Sequence, residues 1–84
     1  MKLLFSERAW EEYLQWQAQD DKTLDRLNIL IRETSRTPFQ GIGKPEPLRG
    51  DLSGWWSRRI TQEHRLVYRV QDGVLWIAQC RYHY

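Results

Sequence analysis

Of the five glycines and three prolines in this 84-residue chain, all but Gly73 fall between Pro38 and Gly54. Pro38, Gly41, Gly43, Pro45, Pro47, Gly50 and Gly54 forbid a long helix or strand there, because proline lacks the amide donor and glycine favours turns. The chain is therefore split into a first part free of both residues and a last stretch of about thirty residues holding only Gly73. A connection of this length in so small a domain is functional or disordered. Phe39, Ile42 and Leu48 give it apolar anchors, so an ordered loop is expected.

Before the loop, Lys2 to Phe5 reads as a short strand. Ser6 is a good N-cap, with Glu7 in the first turn where the helix dipole favours an anion. Trp10, Tyr13, Leu14 and Gln17 follow a helical stripe to about residue 18. Asp20 or Asp21 caps a second helix, in which Leu24, Leu27, Ile31 and Thr34 share a face. The two helices then form an antiparallel hairpin with a very short turn.

After the loop, three strands are expected at roughly 55–61, 64–70 and 74–83, with Gln71-Asp72-Gly73 as the hairpin turn between the last two. Side chains alternate across a sheet. Even positions give Trp56, Ile60, Leu66, Tyr68, Val70, Val74, Trp76, Ala78, Cys80 and Tyr82, broken only by Arg58 and His64. This face is expected to bury against the helices. Odd positions give Arg59, Arg65, Arg69, Arg81 and His83, with Val67, Leu75 and Ile77 among them. The expected fold is α+β: one strand, a helix hairpin, then a three-stranded antiparallel meander with helices on one face. Residues 1–84 are expected to form a single domain.

Apolar residues make up 40% of the chain and include five Trp, enough bulk to exclude a wholly disordered tail. A single cysteine allows no intramolecular disulfide. With two histidines it also falls short of a four-ligand structural zinc site. Leu3-Leu4-Phe5 is far shorter than a signal-peptide core or a membrane span, so a cytoplasmic protein without a membrane partner is expected. The net charge of +2 is unevenly spread. Residues 1–40 carry six Lys/Arg against seven Asp/Glu, and residues 41–84 carry seven against four. Ten of the thirteen basic residues are Arg, whose planar fork suits bidentate phosphate contact. A basic half with interleaved aromatics fits nucleic acid; it fits a solvated surface as well.

Arg59, Arg65, Arg81 and His83 are expected on one face of one half of the sheet. Clustered cations repel unless an anion sits among them, and only Glu46, Asp51, Glu63 and Asp72 are available nearby in sequence to neutralise them. Glu46 is held between two prolines, neither of which is expected to join a helix or a ladder, and their rings stiffen its backbone. A rigid carboxylate, an Arg cluster and an accessible His supply a base, an anion stabiliser and an acid. That set suffices to cleave RNA, whose 2′-OH is an internal nucleophile. DNA lacks that hydroxyl and normally demands a metal-activated water, for which no acidic cluster is evident. No metal or other cofactor is expected. Trp55 and Tyr84 are candidates for stacking on bases. Cys80 reads as core, Asp20-Asp21 as a helix cap, and Ser57 has no activating base.

At these residues the chain resembles the YoeB family, toxins of the RelE/ParE superfamily. The resemblance is carried by Lys44-Pro45-Glu46-Pro47-Leu48, Leu52-Ser53-Gly54, Trp56-Ser57-Arg58-Arg59-Ile60-Thr61, Glu63-His64-Arg65-Leu66-Val67-Tyr68 and Cys80-Arg81-Tyr82-His83-Tyr84. It implies a ribosome-dependent endonuclease that cuts mRNA in the ribosomal A site. It also implies a YefM-like antitoxin partner, operator DNA bound through the antitoxin complex, and a homodimer. Glu46 then matches the general base, His83 the general acid and Arg65 the group that steadies the scissile phosphate. Arg59 and Tyr84 match RNA-positioning residues, with Lys44 and Arg49 as further cationic RNA contacts. The chain departs from the family at Arg49-Gly50-Asp51, where a Lys-His-Asn-like run is often seen, and at Arg69, where a small residue is common. Two other classes remain open. One is a ParE-like gyrase inhibitor on the same fold, and the other is an RNA- or ribosome-binding module without turnover.

Overall fold

The computed structural model describes all of residues 1–84. The first strand, β1 (Lys2–Phe5), leads into helices α1 (Glu7–Gln19) and α2 (Asp21–Arg36). After the glycine- and proline-rich loop come β2 (Glu46–Pro47), a 3-10 turn (Gly50–Leu52), β3 (Trp56–Arg59), β4 (Arg65–Gln71) and β5 (Val74–Gln79). The five strands form one sheet in the order β1-β5-β4-β3-β2. The expected meander is its centre: β3, β4 and β5 pair antiparallel, β1 adds in parallel on β5, and β2 adds antiparallel on β3.

Two polar residues make the helix hairpin compact. Ser6 Oγ accepts from Ala9 N and donates to the Ala78 carbonyl, so the cap of α1 is tied to β5. Asp20 ends one helix and starts the next: its amide donates to Trp16 O, and its carboxylate accepts from Thr23 N and Thr23 Oγ1. These bonds from Thr23 hold the Asp20 carboxyl below its usual range. The helices bury Ala9, Trp16, Leu27, Leu30 and Ile31 against Ile60, Leu66, Tyr68, Leu75, Ile77 and Cys80.

The alternation expected along β5 is reversed. Leu75 and Ile77 are in the core, while Val74, Trp76 and Ala78 are only half-buried. The cause is the turn. Asp72 and Gly73 both have positive φ (55° and 73°), as a two-residue hairpin turn requires, and Gln71 pairs directly with Val74. Odd positions of β5 then share a face with even positions of β4. A bulge restores the original phase: Tyr68 pairs with Ile77 but Val67 with Gln79, leaving Ala78 as the extra residue. Cys80 consequently returns to the core.

Two further expectations change. Pro47 does join a ladder, opposite Trp56, which the outer edge of a sheet permits because no amide is needed there. Beyond Gln79 the chain leaves the sheet instead of continuing as a strand to residue 83, so Tyr82 is exposed rather than buried.

Candidate active site

Sheet register lines up the site. Glu46 is opposite Ser57, Ser57 opposite Val67, and Val67 opposite Gln79, giving one row across β2, β3, β4 and β5. Directly paired residues share a face, and this is the face away from the core cluster. One pleat repeat along the same face, Arg59 stands directly opposite Arg65. Ser57, Val67 and Gln79 are buried, whereas Glu46 and Arg59 are exposed. The row thus has a closed floor and a charged rim.

The C-terminal residues cross this row. The chain leaves β5 at Gln79, and five residues later Tyr84 Oη donates to Glu46 Oε1 at 3.1 Å, on the β2 side. His83 is exposed, its ring 4.6 Å from the Tyr84 ring and its Nδ1 3.4 Å from the Tyr84 carbonyl oxygen. A carboxylate from the proline-flanked loop and an imidazole from the chain's last residues are therefore linked through one tyrosine. Glu46 is held from behind by β3, and its loop is fastened where Arg59 N donates to Gly43 O.

Arg65 is only 9% exposed, and its Nη1 donates to the carbonyls of Thr61, Gln62 and His64. These contacts fix the guanidinium plane by its edge and leave Nη2 and Nε without a protein partner. Arg59 directs an unpaired charge toward solvent beside it. Lys44 and Arg49 are exposed on the same loop as Glu46, Lys44 in the left-handed region at φ 51°. The only ion pairs are Arg8–Glu12 and Arg36–Glu33, both within helices. Every cation of the second half is therefore free of carboxylate partners, as the scarcity of acids there suggests.

Arg81 is not a member of the cluster in which the sequence places it. Its guanidinium stacks over Trp16 at 4.5 Å, and its Nη1 donates to Gln15 Oε1 on α1. The strand ends at Gln79, and the chain beyond it turns Arg81 toward the helices. Arg58, a break in the even pattern, is fully buried: Nε donates to Tyr68 Oη, Nη1 to Ile42 O, and Nη2 to the carbonyls of Thr37 and Gln40. It is the tie that clamps the glycine- and proline-rich loop onto the sheet. Cys80 is buried as expected, and burial pushes its thiol up to about 12. No three His, Cys, Asp or Glu side chains converge. The one sizeable concavity, an apolar groove of about 480 Å³ between β1 and the helices, contains none of the site residues. No helix is long and apolar enough to cross a membrane.

The arrangement offers an exposed carboxylate, an adjacent imidazole-bearing tail and two cationic side chains without counter-ions, on one open face of the sheet. Comparison with known proteins gives the family. Residues 5–84 match the YoeB-like toxins of bacterial type II toxin–antitoxin systems. Toxin YoeB of Escherichia coli K12 is 61% identical over 84 residues, covering 100% of both chains. A YoeB/ParE toxin from Agrobacterium tumefaciens superposes with a TM-score of 0.96 at 52% identity, again over 100% of both chains. The toxin of Staphylococcus aureus, solved in a heterotetrameric YoeB–YefM complex and as a YoeB dimer, superposes at 0.92 with 45% identity over 100% of this chain and 98% of that one.

Proposed function

The chain belongs to the YoeB-like toxins of type II toxin–antitoxin systems, and from that premise we propose that it is an endoribonuclease that cuts mRNA in the ribosomal A site and so stops translation. Glu46 takes the proton of the ribose 2′-OH, and O2′ attacks the adjacent phosphorus. Arg65 stabilises the pentacoordinate phosphate through the guanidinium nitrogens its backbone contacts leave free. The P–O5′ bond breaks, and His83 protonates the departing 5′-oxygen. The upstream fragment ends in a 2′,3′-cyclic phosphate and the downstream fragment begins with a 5′-OH. General acid and base each contribute about 10²–10⁴-fold, and fixed positive charge at the phosphorane adds to that.

The observation that carries this reading is the Tyr84–Glu46 hydrogen bond. It brings the histidine-bearing tail to the one carboxylate that the sheet presents beside unpaired Arg59 and Arg65. Tyr84, Arg59, Lys44 and Arg49 are the RNA-holding groups. A YefM-like antitoxin and a second copy of the chain are the proposed protein partners, supported by the assemblies of the S. aureus relative. Operator DNA is bound through the antitoxin complex.

The test uses ribosomes carrying a message with one 2′-deoxynucleotide just 5′ of the scissile phosphate. That message should fill the A site yet resist cleavage, while its all-ribose twin is cut to a cyclic phosphate. Cutting of both at one rate would show that water is the nucleophile and remove the roles given to Glu46 and His83. Binding with both messages intact would leave a ribosome-binding module.

A further inference from the structure

The tail that carries His83 has no strand to guide it. Between Gln79 and Tyr84 its backbone polar groups are met by groups from elsewhere. Cys80 N donates to Glu12 Oε1 at 2.8 Å, and Cys80 O accepts from Trp16 Nε1 at 2.8 Å. Tyr82 N donates to His64 Nδ1 at 2.7 Å, and Tyr82 O accepts from Arg65 N at 3.0 Å. Tyr82 is also where the chain adopts the left-handed backbone, at φ 65°. The turn that aims His83 and Tyr84 back toward Glu46 is thus gripped on both sides by two consecutive residues of β4 and its approach.

His64 is itself held. Its ring meets Trp16 edge-on at 4.8 Å and the Tyr82 ring at 5.6 Å, and its amide donates to Thr61 Oγ1. A backbone amide can only donate, so Nδ1 must be the bare nitrogen and the proton must reside on Nε2. Arg65, the next residue, holds Tyr82 with its backbone while it stands on the sheet face that carries Glu46. One dipeptide therefore sets both the tail and the backbone from which the guanidinium springs.

We propose that His64 is a positioning residue for cleavage: its Nδ1 fixes the Tyr82 turn that sets His83 and Tyr84 over Glu46. This rests on the endoribonuclease reading above. His64 touches no substrate; it acts through the tail, where small displacements of a reacting group can lower rates by about 10²-fold.

Two substitutions separate the acceptor from the ring. His64→Phe keeps a ring against Trp16 and removes the acceptor. His64→Asn loses the ring but places Oδ1 near the former Nδ1. On programmed ribosomes in single turnover, His64→Phe should slow cutting by about 10- to 100-fold, with the half-saturating toxin concentration within about twofold. His64→Asn should recover most of the rate. In the free protein, the ¹⁵N shifts of the imidazole should report the Nε2–H tautomer, a readout independent of cleavage. Parent-like cutting by His64→Phe, or a protonated Nδ1, overturns the proposal. So do equal losses in both variants accompanied by lower melting temperatures, which would make His64 a packing residue. If the parent itself leaves messages intact while the tautomer is as stated and His64→Phe frees residues 82–84, the clamp stands and the cleavage reading falls.

Discussion

Replacing Arg58 by Met should cost about 3–5 kcal/mol, because it strips a charged donor from three loop carbonyls and the Tyr68 hydroxyl. Methionine fills much of the space of the arginine stem, so the loss is mainly that of the guanidinium. That group makes four hydrogen bonds, three to the carbonyls of Thr37, Gln40 and Ile42 and one to Tyr68 Oη. No carboxylate is among the partners, so carbonyl dipoles and the Tyr68 hydroxyl hold the charge. Bonds to charged groups contribute about 1.5–3 kcal/mol each. Their sum would exceed the expected cost, but the acceptors belong to a part-buried loop and water can reach some of them once the side chain is gone. A domain of this size is stable by roughly 4–13 kcal/mol, so the variant should be marginal. Urea unfolding followed by tryptophan fluorescence measures the difference directly. Arg58→Lys should fall between, because one ammonium reaches only some of the acceptors. A cost below about 1 kcal/mol for Arg58→Met would refute the view that this residue clamps the loop.

Glu46→Gln and His83→Gln should each lower ribosomal cleavage by about 10²-fold or more with unchanged melting temperature, since both side chains are exposed; their double variant should lose little beyond either single one. Gly43→Ala should destabilise by about 1–3 kcal/mol in the same urea assay. A Cβ there would approach Leu30 Cδ2 to 2.9 Å and Arg58 Cβ to 3.2 Å at a φ of +82°. Cys80 gives a pH signature. Its folded-state thiol, raised to about 12, stays protonated while the unfolded chain ionises above about pH 9. Stability relative to Cys80→Ala should therefore decline between those values by up to about 1.4 kcal/mol per unit, and a difference flat across that window would contradict the burial of the thiol.

The helix hairpin was legible because its signals are local: Ser6 and Asp20 cap, and the apolar spacing does the rest. The central meander was legible for the same reason. Glu46, Arg59, Arg65, His83 and Tyr84 could be singled out from residue type and spacing. What failed was phase. The turn of β4–β5 and the bulge at Ala78 each shift alternation by one residue: the turn is two residues, Asp72-Gly73, where Gln71-Asp72-Gly73 was expected, and the bulge leaves no mark in the sequence. Arg81 was misplaced for another reason: β5 ends at Gln79, so sheet alternation no longer governs it. The two breaks in the even pattern, Arg58 and His64, carried information that simple alternation treats as noise. Each is a polar side chain on an apolar face because it satisfies backbone groups, Arg58 those of the loop and His64 that of the tail. The parallel pairing of β1 depends on the path of the helix hairpin, a long-range matter that periodicity does not encode.

The Ala78 bulge also governs which insertions and deletions the lineage can survive. Deleting one residue between Gly73 and Gln79 would remove the phase shift, turn Cys80 out of the core and carry the downstream residues to the opposite side of the sheet. Glu12 and Trp16 would then face the wrong backbone groups, and the tail would start from a different strand face. A change of two residues would keep the phase but move the tail along the strand by one pleat repeat. Related chains should therefore tolerate altered side chains in this segment far more readily than altered spacing.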